Sequence, residues 1–282
     1  MNQVAARTTA CALAALALAA CAAPGPLRPA PSPLTAAAAR TVPSGYYQGT
    51  DGLTGQTLLQ ALKVRVDSQT VLSYHDARDA LFADIADPSG QDIVVSFYTG
   101  KVATGVTNWK TAHRQDFATE HIWPQSLGAG WSPARTDLHH LFQVDESANS
   151  IRNNHPFGLV KTAQKVLPDQ SFPGQASKLG TDAAGVQVFE PVDRSKGDVA
   201  RALMYFYVRH YMPLPGKGPG PLSLRNFKVE RQVLLAWHRQ DPVDAAERRR
   251  NDRIFTLQYN RNPFVDRPEF VSRAGAAFAA AE

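Results

Sequence analysis

Asp116-Phe117-Ala118-Thr119-Glu120-His121-Ile122-Trp123-Pro124 sets a carboxylate beside an imidazole and then turns at a proline. Successive residues of a regular strand point to opposite faces, so Glu120 and His121 would diverge there. One site can use both only from a strand end or an irregular turn. A second block follows, Asp137-Leu138-His139-His140-Leu141, running on to Asp145-Glu146-Ser147-Ala148-Asn149-Ser150-Ile151-Arg152. Asp145 suits the N-cap of a helix, with Asn149 about one turn inside it. Arg152 comes three residues later, on a neighbouring face.

These residue types suit hydrolysis of a phosphodiester. Water must lose a proton, charge on the phosphate must be stabilised, and the leaving oxygen must be neutralised. A neutral His suits the first task near neutral pH. A hard divalent cation suits the others and prefers carboxylate and amide oxygens, keeping several waters. Glu120 and Asn149 supply those oxygens, and Arg152 is a candidate phosphate clamp. The sequence has no HExxH, no GxSxG elbow and no phosphate-binding P-loop.

Outward from this centre, residues 54–66 carry apolar positions at helical spacing, and Tyr74 to Ile85 also reads as helix. Ile93 to Tyr98 is β-branched and aromatic, which predicts a strand. The 165–187 stretch, with Pro168, Pro173 and Gly174, reads as a long surface loop. Helices are expected over 197–211, 227–238 and 243–258, separated by a Pro/Gly-rich break at 213–221. Runs of helix with a few strands predict an α+β class, mainly helical with a small sheet.

The first twenty residues hold one charge, Arg7, followed by an apolar run from Ala10 to Ala20. This is the pattern of a secretory signal, and the run is too short to span a bilayer comfortably. Leu18-Ala19-Ala20-Cys21 resembles a bacterial lipobox, which implies a cut before Cys21 and a lipid anchor on it. An ordinary signal cut, leaving Cys21 incidental, is the alternative. The chain's two cysteines are Cys11 and Cys21, so a domain starting after them has no disulfide. Prolines at 24, 26, 29, 31 and 33 make residues 21–44 an extended tether. The expected division is a signal over 1–20, the tether, a folded domain over 45–275 and a tail over 276–282. A formal charge of +5 over 282 residues biases the chain toward polyanions.

Three blocks resemble the bacterial endonuclease I family, whose site is a ββα-metal finger. They are Thr119 to Pro124; Asp137 to Leu141 running through Asn149-Ser150-Ile151-Arg152 to Pro156-Phe157-Gly158; and a C-terminal set. That set includes Phe189-Glu190-Pro191, Lys196-Gly197-Asp198, Leu235-Ala236-Trp237-His238 and Asn260-Arg261-Asn262-Pro263-Phe264. The resemblance implies one Mg2+ on Glu120 and Asn149, with Mn2+ or Ca2+ as alternatives, and His121 as general base. It implies an exported enzyme that cuts DNA, and often RNA, with little sequence preference. Some members carry a cysteine-bearing insertion between the first two blocks, with an arginine that helps the leaving group. Residues 125–136 are short and cysteine-free here, and Arg135 is their only basic residue, so that role stays open.

Other residues read as structural. One of His139 and His140 is expected to pack beside the finger, Asn153 and Asn154 to make a turn, and Trp123 and Trp237 to anchor the core. Arg248, Arg249, Arg250 and Arg253 form either a solvated face or a phosphate-contacting edge. Two rival readings remain at this level: a phosphoesterase for small esters, and a surface lipoprotein that binds DNA without cutting it.

Overall fold

The computed structural model describes residues 42–278, except positions 88, 215 and 219. The expected signal, the lipidated Cys21 and most of the tether therefore lie outside the described residues. Those described belong to one unit, 39–282. Helix α1 (Gly55–Val66) buries Leu58, Leu59, Leu62 and Val66, the apolar positions of its sequence pattern. Helix α2 (Tyr74–Ala80) is capped by the Ser73 hydroxyl, which accepts from the Asp76 N–H, and widens into a π-turn over Leu81–Ile85. A short hairpin follows, β1 (Ile93–Val95) with β2 (Val102–Thr104), and then α3 (Trp109–His113).

The strand expected over 93–98 ends at Val95. Beyond it the backbone changes partners: Ser96 N–H donates to Lys101 across the hairpin, whereas Phe97 N–H donates to Gln143 O. That change carries Tyr98 toward the centre of the molecule.

The next pair is antiparallel β3 (Phe117–His121) and β4 (Leu141–Asp145), with Glu120 opposite Phe142 and His121 opposite Leu141. Helix α4 (Glu146–Arg152) follows β4 without a break. Together they make the ββα finger. Its two faces bury into different apolar clusters. Phe117 and Leu141 pack with Ala77, Phe82 and Ile254. Phe142, Val144 and Ala148 pack with the larger core around Trp123, Phe206 and Phe227. A one-residue slip in register would exchange these faces, so burial on both sides pins the hairpin.

Residues 165–187 are not a loop. They belong to an antiparallel meander of β5 (Thr162–Pro168), β6 (Ala176–Thr181) and β7 (Gln187–Glu190). Pro168 ends the first strand and Pro173-Gly174 lies in the turn after it, so the residues that suggested a loop mark only the strand ends. Helix α5 (Lys196–Phe206) runs through the core and is buried at almost every position. Helices α6 (Phe227–Gln240), α7 (Ala245–Gln258), α8 (Pro263–Asp266) and α9 (Glu269–Ala274) complete the unit. The fold is α+β, as expected. Phe278, the last described residue, is buried against Tyr207 and Phe264. Trp123 and Trp237 are both core residues. Among the described residues, no helix is long and apolar enough to cross a membrane.

Candidate active site

Glu120 and His121 are the last two residues of β3, and the chain turns away at Pro124. Ending there lets both side chains line one groove, which regular alternation would forbid. Asn149, in α4, lines the same groove of about 290 Å³, together with Gln125 and Asn154. The cap of α4 sets the position of Asn149. Asp145 Oδ1 accepts from Ala148 N–H at 2.8 Å, while Oδ2 accepts from the Ser96 and Thr99 hydroxyls.

His121 is almost fully buried. Its Nε2 lies 3.0 Å from the Arg135 carbonyl oxygen, which can only accept, so Nε2 carries the proton. Nδ1 is then the basic nitrogen, and the Gln125 amide donates to it at 3.4 Å. Burial pushes His121 down to about 4; the Arg135 carbonyl opposes the shift, and the nearby Arg135 cation adds to it. The ring is therefore neutral near pH 7. His140 packs edge-on against it and donates from Nε2 to Ala134 O, while His139 Nε2 donates to Asn260 O. A carbonyl fixes both as Nε2–H donors, and both histidines are structural. Asn153 closes α4 with a positive φ of 51°, and Asn154 reaches the Ser126 hydroxyl, so this pair shapes the turn.

Glu120 is buried, with Oε1 accepting from the Tyr98 hydroxyl at 2.8 Å and lying 3.3 Å from Arg152 Nε. Burial pushes its carboxyl up, and Arg152 and the Tyr98 hydroxyl push back. A further positive charge in the groove would favour the ionised form. Among the described residues, no three His, Cys, Asp or Glu side chains converge as a ligand group. A cation here would draw one carboxylate and one amide oxygen from the chain and keep water or phosphate oxygens. That donor set fits a hard, Mg2+-like ion and suits zinc poorly.

Arg152, expected as a phosphate clamp, is only 1% exposed. Its Nη1 donates to the carbonyls of His121 and Asn153, its Nη2 donates to Ile122, and its guanidinium lies 4.5 Å from the Phe157 ring centroid. These contacts hold the end of β3 against α4, and Arg152 lines the groove together with Glu120, His121 and Asn149. Glu230, from α6, is buried nearby and accepts from Phe157 N–H. Sequence spacing offered no sign of Tyr98 or Glu230 at this site, since each arrives from a separate segment, whereas Gln125 follows Pro124 directly.

The arginine row on α7 divides. Arg250 donates to Leu138 and Leu141 carbonyls, both at 2.6 Å, and lies over Phe142, bracing the start of β4. Arg253 pairs with Asp84, and Arg248 donates to Val265 O.

A family model described as Endonuclease I matches residues 54–269. An extracellular ribonuclease of Bacillus subtilis (strain 168) is 34% identical, over 80% of this chain and 76% of its own length. A Bacillus amyloliquefaciens extracellular ribonuclease is also 34% identical, with the same coverage. An extracellular deoxyribonuclease of Aeromonas hydrophila is 33% identical over 46% of this chain and 49% of its own. With a ββα finger at its centre and a family match spanning most of its length, the chain belongs to the endonuclease I family of phosphodiester-cleaving nucleases.

Proposed function

We propose that the chain is an exported endonuclease that hydrolyses DNA and RNA with one divalent cation, Mg2+ by preference, and with His121 as general base. The observation that carries this reading is the convergence of Glu120, His121 and Asn149 on one groove. Glu120 and Asn149 hold the cation through oxygen. When bound, it polarises the phosphate and stabilises the leaving 3′ oxygen. His121 Nδ1 takes a proton from water as the water oxygen bonds to phosphorus and the bond to the 3′ oxygen breaks. The Arg135 carbonyl holds the Nε2 proton and steadies the imidazolium that forms. Arg152 is a positioning residue, keeping Glu120 aimed and the strand end in place.

Both polymers are proposed as substrates because the relatives matched over most of the chain are named ribonucleases, and those matched over about half are named deoxyribonucleases. Names of extracellular and periplasmic relatives support export, as does the apolar run before Cys21. Lipid attachment at Cys21 is part of the proposal, and a membrane-fraction mass lacking the acyl groups would refute it.

The test incubates the purified protein with plasmid DNA and with RNA in Mg2+, with and without EDTA, beside His121→Ala. Cleavage that disappears with EDTA and in the variant supports the reading. Full activity in His121→Ala would overturn the assigned base, and absence of cleavage with any divalent metal would overturn the nuclease.

A further inference from the structure

Beside His121, outside the groove's ligand pair, two arginines share one aromatic ring. Tyr74, which opens α2, has its ring centroid 6.1 Å from that of His121. The Arg135 guanidinium lies 3.9 Å from the Tyr74 centroid, and Arg78, one turn along α2, lies 4.5 Å from it. Arg78 is also held 3.7 Å from the Trp109 centroid. Among the described residues, neither guanidinium is paired with a carboxylate or a hydrogen-bond acceptor; their Nε atoms are buried without a partner, as is the Trp109 indole nitrogen. The two carboxylates on α2 are engaged elsewhere. Asp79 accepts from Trp109 N–H and faces His75, and Asp76 takes the Ser73 hydroxyl.

Two like charges held this close repel each other, and elsewhere this chain matches its buried arginines with acids, as at Arg201 with Glu247 and Arg261 with Asp266. Here the stabilisation comes only from ring faces, which orient the planar guanidinium but leave its outer N–H donors for an anion. A nucleic-acid strand carries one charge per about 3.4 Å of rise, so neighbouring phosphates suit such a pair.

We propose that Arg78 and Arg135, clamped on Tyr74, form a track for successive backbone phosphates that leads the substrate strand to His121. The proposal rests on the nuclease reading above. Backbone phosphates position a strand without reporting its sequence. The track therefore gives strand affinity with low base preference, and it gives Arg78, distant from the finger in sequence, a part in substrate binding.

The test measures binding of a fluorescent single-stranded oligonucleotide in EDTA across a salt series, and cleavage kinetics in Mg2+. For Arg78→Gln, the slope of log affinity against log salt should shrink by about 0.7, the value for one lost single-strand phosphate contact. KM should rise roughly tenfold, the loss of one charge-assisted contact, with a much smaller change in kcat. Tyr74→Phe should retain the wild-type slope and KM, whereas Tyr74→Leu should match Arg78→Gln. Arg239→Gln, removing the same charge from α6, should leave the slope in place. An unaltered slope and KM in Arg78→Gln, or an equal drop in Arg239→Gln, would overturn the track while EDTA-sensitive cleavage by the wild type keeps the nuclease reading. A wild type that cuts nothing would overturn both.

Discussion

At the scale of single residues, the proposed site separates reacting groups from groups that hold them. His121 has its Nε2 proton committed to a carbonyl, so its value lies in Nδ1. His121→Ala should lower kcat by roughly 10²–10⁴, the usual worth of a general base, with substrate affinity nearly unchanged. Single-turnover kinetics beside a binding titration separate the two, and a loss confined to affinity would contradict the role. Arg152 behaves differently. Removing it as Arg152→Met strands the buried Glu120 and strips three carbonyls of their donor. Loss of one partner from a buried pair costs about 3–5 kcal/mol, so the urea midpoint should fall sharply. A variant of normal stability but weakened phosphate binding would restore the clamp reading.

At the scale of elements, the hairpin and helix act as one rigid carrier. Asp145 ends β4, caps α4 and gathers the Ser96 and Thr99 hydroxyls. Asp145→Asn keeps a capping oxygen but loses the carboxylate. Asp145→Ala loses both and should cost about 1 kcal/mol for the cap alone, with more for the stranded hydroxyls. Because Asn149 rides on α4, the Mg2+ concentration for half-maximal activity should also rise in Asp145→Ala. Melting curves and a metal titration test this, and stability loss without a metal effect would uncouple the cap from the site. The meander at 162–190 shows the opposite case to the legible cap. Its prolines and glycines were visible, yet their strands carry mixed, largely exposed side chains on β5, so no period marked them as strands.

Across the whole molecule, buried titratable groups set the response to pH. Burial pushes His139 down to about 4 and His140 well below its usual range; it also lowers His238 to about 4, with the Arg201 cation adding to that shift. A folded pKa below the unfolded value means the unfolded chain binds the proton more readily. Stability from these groups is present above about 6.5 and is lost as pH falls toward 4. Glu230 has the reverse sign. Burial raises it from 4.5 to about 7, so its contribution is complete below 4.5 and lost as pH rises through 7. That span corresponds to about 3 kcal/mol. The melting temperature should therefore fall on acidification from pH 6.5, and Glu230→Gln should steepen the fall by removing the opposing slope. Thermal scans of both proteins across this range provide the check, and a shallower slope in the variant would reverse the assignment.

The class of reaction could be read from three blocks of sequence taken together and in order, because Glu120-His121, the capped helix with Asn149 and the C-terminal set are each read from neighbouring residues. The helices at 55–66 and 227–240 were legible because their apolar residues recur at helical spacing. Tertiary structure decided what lies far apart in the chain: that β3 stops where both side chains can share a groove, that Tyr98 and Glu230 flank Arg152, and that Arg78 joins Arg135 on one ring. It also turned Arg152 inward. Burial and pairing depend on which distant segments close over a residue, and no local pattern carries that information.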